Sequence, residues 1–278
     1  MFNSPRGVGD NQAKSGAEVA EWHKPHLARL GDGLKEVGMK ILELFSGTEH
    51  LSNAFRARGH EAFTVDWNKK FPSSLHIDIE TLTADMVLEQ FGHPDVIWLG
   101  TDCTTYSVAA IGHHRKYNKE DGNLDPQTPY AEKCDRMNQH CLRLIAELKP
   151  KVFIIENPRA GLRSMVWMQG IPRYTTTYCQ YGFKYMKPTD FWSNVDLRLA
   201  PPCKNGSPCH ESAPRGTKQG LQGIQGKELR SIYPPRLIEH FVDICEEYVN
   251  DGLEHPLPNV MTMPPRPRYK QLTLFDEL

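Results

Sequence analysis

No run of about 18 consecutive apolar residues occurs anywhere in the 278-residue chain, which excludes an ordinary transmembrane helix. The first stretch, MFNSPRGVGDNQAKSG, lacks the apolar segment of an export signal, so a cytoplasmic location is expected. An excess of either charge is lacking as well. Lys and Arg number 33 against 34 Asp and Glu, for a formal net charge of -1, so any nucleic-acid contact must come from local patches. Cysteines number only seven, without dense regular spacing, which argues against a disulfide framework and for reduced thiols. No repeat with a period of about 20–50 residues is visible, which excludes a solenoid.

What is present is an alternation of short apolar runs and helical stretches. KILELF (40–45), AFTVDW (62–67), DVIWLG (95–100) and KVFIIEN (151–157) read as buried strands. Between the last two, 129–148 repeats Met137, Cys141, Leu144, Ile145 and Leu148 on one face of a helix. Strands alternating with helices predict an α/β fold with a mostly parallel sheet flanked by helices. Residues 1–38 read as an N-terminal extension, with a short helix near Trp22 broken at Pro25. Residues 200–228 are rich in Gly, Pro and Lys, and 251–278 begin as a proline-rich linker.

Ligands of parallel sheets gather at the carboxyl ends of the strands, and there the chain places unusual residues. LELFSGTEH (42–50) is a strand, a glycine turn and a helix start, and Gly47 lets the backbone approach a ligand closely. Alone, that pattern is equally a plain connection. Asp66 ends the next run in VDW, where an acidic residue commonly holds ribose hydroxyls, and Asp78 follows in HIDI (76–79). Together the three positions predict a cofactor containing a nucleoside. Cys103 follows the DVIWLG strand in GTDCTTYS, and Glu156 ends the next strand in IIENPRAG. A thiolate and a protonated carboxyl at neighbouring strand ends suit addition to an electron-poor ring. A lone cysteine is usually a small buried hydrophobe and a lone glutamate a solvated charge, so the pairing carries the signal.

The series ELFSG, VDW, HIDI, GTDCTTYS, IIENPRAG and TYCQYGFKYMKPTDFW, in this order, resembles that of the C5-cytosine methyltransferases, closest in wording to small phage-type members. The likeness covers about residues 40–195 and resumes at RSIYPPRLIEHFVDI (230–244). It implies a Rossmann-like S-adenosylmethionine-dependent methyltransferase fold, a catalytic domain over 39–199 and a closing helix over 229–250. Phe45, Ser46, Gly47 and Thr48 would surround the methionine part of the cofactor, Asp66 and Trp67 the ribose, and Asp78 and Ile79 the adenine. Cys103 would attack C6 of a flipped-out cytosine, Glu156 would hold N3 and the exocyclic amine, and Asn157 would fix the loop. Flipping is required because C5 and C6 cannot be approached within the stack.

The chain departs from the family in places. Asp102 and Thr104 stand where Pro and Gln usually flank the nucleophile, and a carboxylate beside a thiol opposes thiolate formation. The Gln-x-Arg-x-Arg pattern after the Glu motif is replaced, with Lys187 and Thr189 at its arginine positions. Lys187 can still supply a cation to base or phosphate, without a bidentate fork.

Residues 200–228 are all that remains for target recognition, and so short an element should read few base pairs. Expected DNA contacts are Ser107, Arg115, Lys116 and Arg159, with Arg215 and Lys218 in the recognition segment. Cys203, Cys209 and His210, with Cys179 as a fourth ligand, raise a zinc site. Their spacing is no standard finger, and adjacent Cys209 and His210 are hard to place on one tetrahedral ion, so no metal is expected. At the end of the chain QLTLF resembles the pentapeptide by which bacterial replication proteins bind the sliding clamp. Gln271, Leu272, Leu274 and Phe275 would dock in its groove, tethering a monomeric enzyme to DNA in a bacterial or phage-infected cell. Three alternatives stand beside this: an RNA cytosine methyltransferase, a catalytically silent DNA- or clamp-binding protein of the same fold, and a nicotinamide-dependent oxidoreductase. The last leaves Cys103 and Glu156 idle.

Overall fold

Val96, Ile97, Trp98 and Leu99 follow one another in a single strand, and all four are buried. Such a strand needs apolar cover on both faces. The computed structural model describes residues 38–211 and 231–257. In it this segment is β4 (Val96–Gly100), within a seven-stranded sheet. The other strands are β1 (Lys40–Leu44), β2 (Glu61–Asp66), β3 (Leu75–His76), β7 (Val152–Pro158), β8 (Arg173–Thr177) and β9 (Pro188–Ser193). A separate antiparallel pair, β5 (Arg115–Tyr117) and β6 (Leu124–Pro126), lies outside it.

The sheet order is β3-β2-β1-β4-β7-β9-β8. Pairings from β3 through β7 are parallel, and β9 runs antiparallel to both neighbours. Chain order reverses between β1 and β4, which opens a crevice at their carboxyl ends. The mostly parallel α/β sheet expected from the alternation is therefore present, with one reversed strand near its edge.

Two apolar clusters line the two faces. Leu42, Ile97 and Phe153 pack with Val87 of α2 (Ala84–Gln90) and with Cys141, Leu144 and Ile145 of α4 (Pro129–Leu148). Ile41, Trp98 and Ile154 pack on the opposite side with Leu51 and Phe55 of α1 (His50–Ala57) and with Phe241 and Val242 of α5 (Pro235–Asn250). A one-turn helix, α3 (Ile111–His114), leads into β5. α4 covers the expected 129–148. Thr128 caps it by accepting the Ala131 amide at 3.2 Å, Pro129 opens its first turn, and Lys149 in the left-handed region ends it.

Some expectations shift. The closing helix starts at Pro235 rather than 229, because consecutive prolines 234 and 235 start a helix well but cannot sit inside one. β3 ends at His76, and Asp78 caps a short turn (Ile79–Thr81) by accepting the Glu80 amide at 3.1 Å. The Trp22 stretch, Arg215, Lys218 and the QLTLF tail lie outside the described residues. Among the described residues no helix is long and apolar enough to cross a membrane.

Candidate active site

The turn after β1 is built from left-handed backbone at Phe45, Gly47 and Glu49. A Cβ added at Gly47 would meet nothing within 4 Å, so open space lies over it. Asp66, at the end of β2, braces the turn: one carboxylate oxygen accepts the Gly47 amide at 2.9 Å and the other the Asn68 amide at 2.8 Å. The Ser46 hydroxyl is buried 3.1 Å from that of Ser73, and Thr48 is exposed. Trp67, next to Asp66 in the chain, leaves 71% of its surface exposed. Asp78 takes an ion pair from Lys133 Nζ at 2.8 Å, and that contact holds its carboxyl below the usual range. Ile79 is buried in the core.

Register sets the second half of the site. Gly100 of β4 pairs with Glu156 of β7, so the Cys103 loop leaves the sheet beside Glu156. Asn157 fastens that loop, its amide donating to the Thr101 carbonyl at 3.3 Å and hydroxyl at 3.0 Å. The other Asn157 amide atom, Oδ1, is buried without a partner. The Cys103 carbonyl accepts the Tyr106 and Ser107 amides, a tight turn that leaves Cys103 itself partly exposed. Gly161 packs against this turn and donates its amide to the Tyr106 carbonyl at 2.9 Å. A Cβ there would stand 3.1 Å from that oxygen and 2.7 Å from Ile111 Cδ1, so any larger residue would force the turn or the Ile111 side chain to shift.

Glu156 is almost wholly buried among Tyr178, Lys187 and Tyr233. Tyr178 and Tyr233 donate to its two oxygens at 3.5 and 3.4 Å, and Lys187 Nζ lies 3.7 Å away. Burial pushes the carboxyl above its ordinary range, against the pull of Lys187 and the two hydroxyls. Lys187 also sits over the Tyr178 ring, with Nζ 4.6 Å from the centroid. Tyr178 and Tyr233 carry no motif signal of their own. They lie within the quoted motif series, and only the folded contacts give them a role.

Asp102, the departure beside the nucleophile, accepts the Thr104 amide at 2.8 Å and a short hydrogen bond from Tyr130. Thr104 and Tyr130 thereby engage its charge. Thr189 is fully buried and donates to the Lys187 carbonyl at 3.2 Å. Glu43, which sequence reasoning passed over, is buried under the turn and takes the Ser52 amide and hydroxyl. Burial pushes its carboxyl up to about 7.

Arg115 requires a correction. The basic run HHRK suggested a DNA-facing cation, but Arg115 is 4% exposed. It forks onto Asp135 at 2.8 and 3.1 Å, donates to the Thr105 carbonyl and hydroxyl, and stacks at 4.0 Å on Tyr106. Lys116 and Arg159 are exposed, and Ser107 donates to the Thr104 carbonyl at 3.1 Å. The objection to a shared ion at Cys209 and His210 also falls. Their Sγ and Nδ1 atoms lie 3.5 Å apart and converge with the thiols of Cys179 and Cys203.

Residues 39–165 match the family described as C-5 cytosine-specific DNA methylase. A protein of Frog virus 3 (isolate Goorha), named "Probable DNA (cytosine-5)-methyltransferase", is 29% identical over 229 residues, which is 74% of this chain and 100% of that protein. Among solved structures, a protein encoded within an E. coli prophage aligns at 17% identity and a TM-score of 0.42, covering 60% of this chain and 51% of that one. The S. pombe Dnmt2 methyltransferase aligns at 17% identity and 0.39, covering 56% and 50%. The chain thus spans about half the length of each of these two solved chains. Gly47, Asp66, Asp78, Cys103, Glu156 and Asn157 all fall within the residues that match the C-5 cytosine-specific DNA methylase family.

Proposed function

We propose that this protein methylates C5 of cytosine in DNA, with Cys103 adding covalently to C6 of a base swung out of the duplex. The observation that carries the reading is the pairing of Gly100 with Glu156. It places a thiol loop next to a buried carboxyl that burial keeps protonated to higher pH.

The residues around the β1–β2 end of the crevice fit S-adenosylmethionine. Gly47 leaves open space, Asp66 and Asp78 offer acceptors for hydroxyl and amino groups, and Trp67 offers an aromatic face. When bound, S-adenosylmethionine supplies an electrophilic methyl group, the one capacity these side chains lack.

The Cys103 thiolate forms a bond to C6, and the pair of the C5–C6 π bond shifts onto C5 and, through C4, toward N3. A proton held on Glu156 faces N3 and stabilises that charge, leaving C5 nucleophilic. Once C5 is substituted, a base takes its proton, the double bond returns and the thiolate leaves. Asn157 holds the thiol loop, and Lys187 keeps a positive charge beside Glu156. Base extrusion accompanies this chemistry because a stacked pyrimidine offers neither C6 nor N3 to a side chain.

Lys116 and Arg159 are proposed to meet phosphates with Ser107, Arg215 and Lys218, and residues 200–228 to read a short target. QLTLF (271–275) is proposed to bind a bacterial sliding clamp, placing a monomeric enzyme on DNA in the cytoplasm. A clamp pull-down that recovers tail-deleted and intact protein equally would end that part of the reading.

Bisulfite sequencing of DNA from cells expressing the wild type or Cys103→Ser tests the chemistry. Methylation at a short recurrent site is expected for the wild type only. Equal methylation in the Ser variant would overturn the role of Cys103.

A further inference from the structure

Three thiols and one imidazole converge at the turn after β8. Cys179 lies in the turn Tyr178–Tyr181 after β8. Cys203, Cys209 and His210 come from the segment after β9. Their ligand atoms all lie within 4.8 Å of one another. Cys203 Sγ and Cys209 Sγ stand 3.6 and 3.5 Å from His210 Nδ1, and Cys209 Sγ stands 3.7 Å from Cys179 Sγ.

These separations have a chemical meaning. Tetrahedral zinc bonds sulfur at about 2.3 Å and imidazole nitrogen at about 2.0–2.1 Å, which puts its ligands about 3.5–3.8 Å apart. Three of the four measured separations match. The fourth, 3.1 Å between Cys179 and Cys203, is too long for a disulfide bond and within reach of the same ion. All four groups are soft or borderline donors, the set that selects zinc over calcium or magnesium.

The adjacency of Cys209 and His210 is absorbed by local backbone. Gly206 takes a φ of +84°, the Ser207 amide returns to the Lys204 carbonyl at 3.1 Å, and the chain turns again at 208–210. Thr177 supports the cluster from below, its hydroxyl accepting the Cys203 amide at 3.0 Å and the Cys179 thiol at 3.5 Å.

We propose that Cys179, Cys203, Cys209 and His210 bind one structural zinc ion. With four protein ligands the site is closed, so the ion holds chain instead of activating water. What it holds is specific. It clips residues 203–210, which lead directly into the remaining recognition segment, onto the turn that carries Tyr178 against Glu156. The site stands on its own donors and does not depend on the methyl-transfer reading.

Metal analysis of the full-length protein, expressed with added zinc and purified with reductant and no chelator, decides the matter. One zinc per chain is expected, released when a mercurial blocks the thiols. Cobalt exchanged into the site should show the intense visible bands of a tetrahedral thiolate complex. Cys203→Ser should lose the metal while Cys103→Ser keeps it; if Cys203→Ser fails to fold, the wild-type stoichiometry and cobalt spectrum decide. Wild-type protein that carries no zinc and four freely reactive thiols at these positions, iron in place of zinc, or a Cys179–Cys203 disulfide in non-reduced peptides would each overturn the proposal.

Discussion

The hydroxyl of Tyr233 lies 3.4 Å from Glu156 Oε2, although 77 residues separate them in the chain. Gly100 makes the approach feasible, since a Cβ there would stand 3.1 Å from the same hydroxyl. The segment before the closing helix therefore takes part in the site.

Tyr233→Phe removes a hydrogen bond that opposes the upward shift of the Glu156 carboxyl. The carboxyl should keep its proton to still higher pH, moving the alkaline limb of the kcat/KM profile upward. A fall of about tenfold in kcat/KM is expected at neutral pH, equivalent to about 1.4 kcal/mol. Stability should fall by only about 1 kcal/mol. A pH–rate profile identical to the wild type would remove Tyr233 from the site.

Tyr130→Phe frees one oxygen of Asp102 from its short hydrogen bond. A carboxylate released beside Cys103 should slow alkylation of that thiol by iodoacetamide, while Asp102→Asn should speed it. Alkylation rates measured by mass spectrometry check both directions, and equal rates in all three proteins would show that the carboxylate has no influence on the thiol.

Arg115 and Lys116 are neighbours with opposite expected behaviour. Arg115→Met strands the buried Asp135 carboxylate and should destabilise the fold by about 3–5 kcal/mol, with much of that recovered in an Arg115→Met/Asp135→Leu double variant. Lys116→Ala should leave stability within about 0.5 kcal/mol and lower the salt dependence of DNA binding by about one counterion. Denaturant melts and salt-dependent binding separate the two.

Glu43 gives a pH signature. Its folded pKa of about 7 exceeds the ordinary 4.5, so the folded protein binds the extra proton. The associated stability is complete below about pH 4.5 and is lost as pH rises through about 7, up to about 3 kcal/mol in all. Glu43→Gln cannot ionise, so its melting temperature should fall less than that of the wild type between pH 5 and 8. Parallel pH dependences would show that Glu43 is not held neutral.

Much of the frame was legible locally. Apolar runs bounded by polar residues marked β1, β2, β4 and β7, and Thr128, Pro129 and a spaced apolar face marked α4. HIDI pointed to β3, which ends earlier than expected, at His76; β5 and β6 were not legible, because strands of three residues carry no readable period. Cys103 and Glu156 could be brought to one rim from strand order alone, since a parallel sheet puts the carboxyl ends of its strands on one side.

Partner and burial are different quantities, and no local pattern contains them. A basic run reads the same whether its arginine meets phosphate or a buried carboxylate, so only packing could show Arg115 closed over Asp135. Two tyrosines from distant segments enclose Glu156 because β9 reverses and the closing helix returns to the sheet. Cys179 meets Cys203, Cys209 and His210 for the same reason: spacing along a chain limits which atoms can meet, and the path of the chain through space selects which of them do.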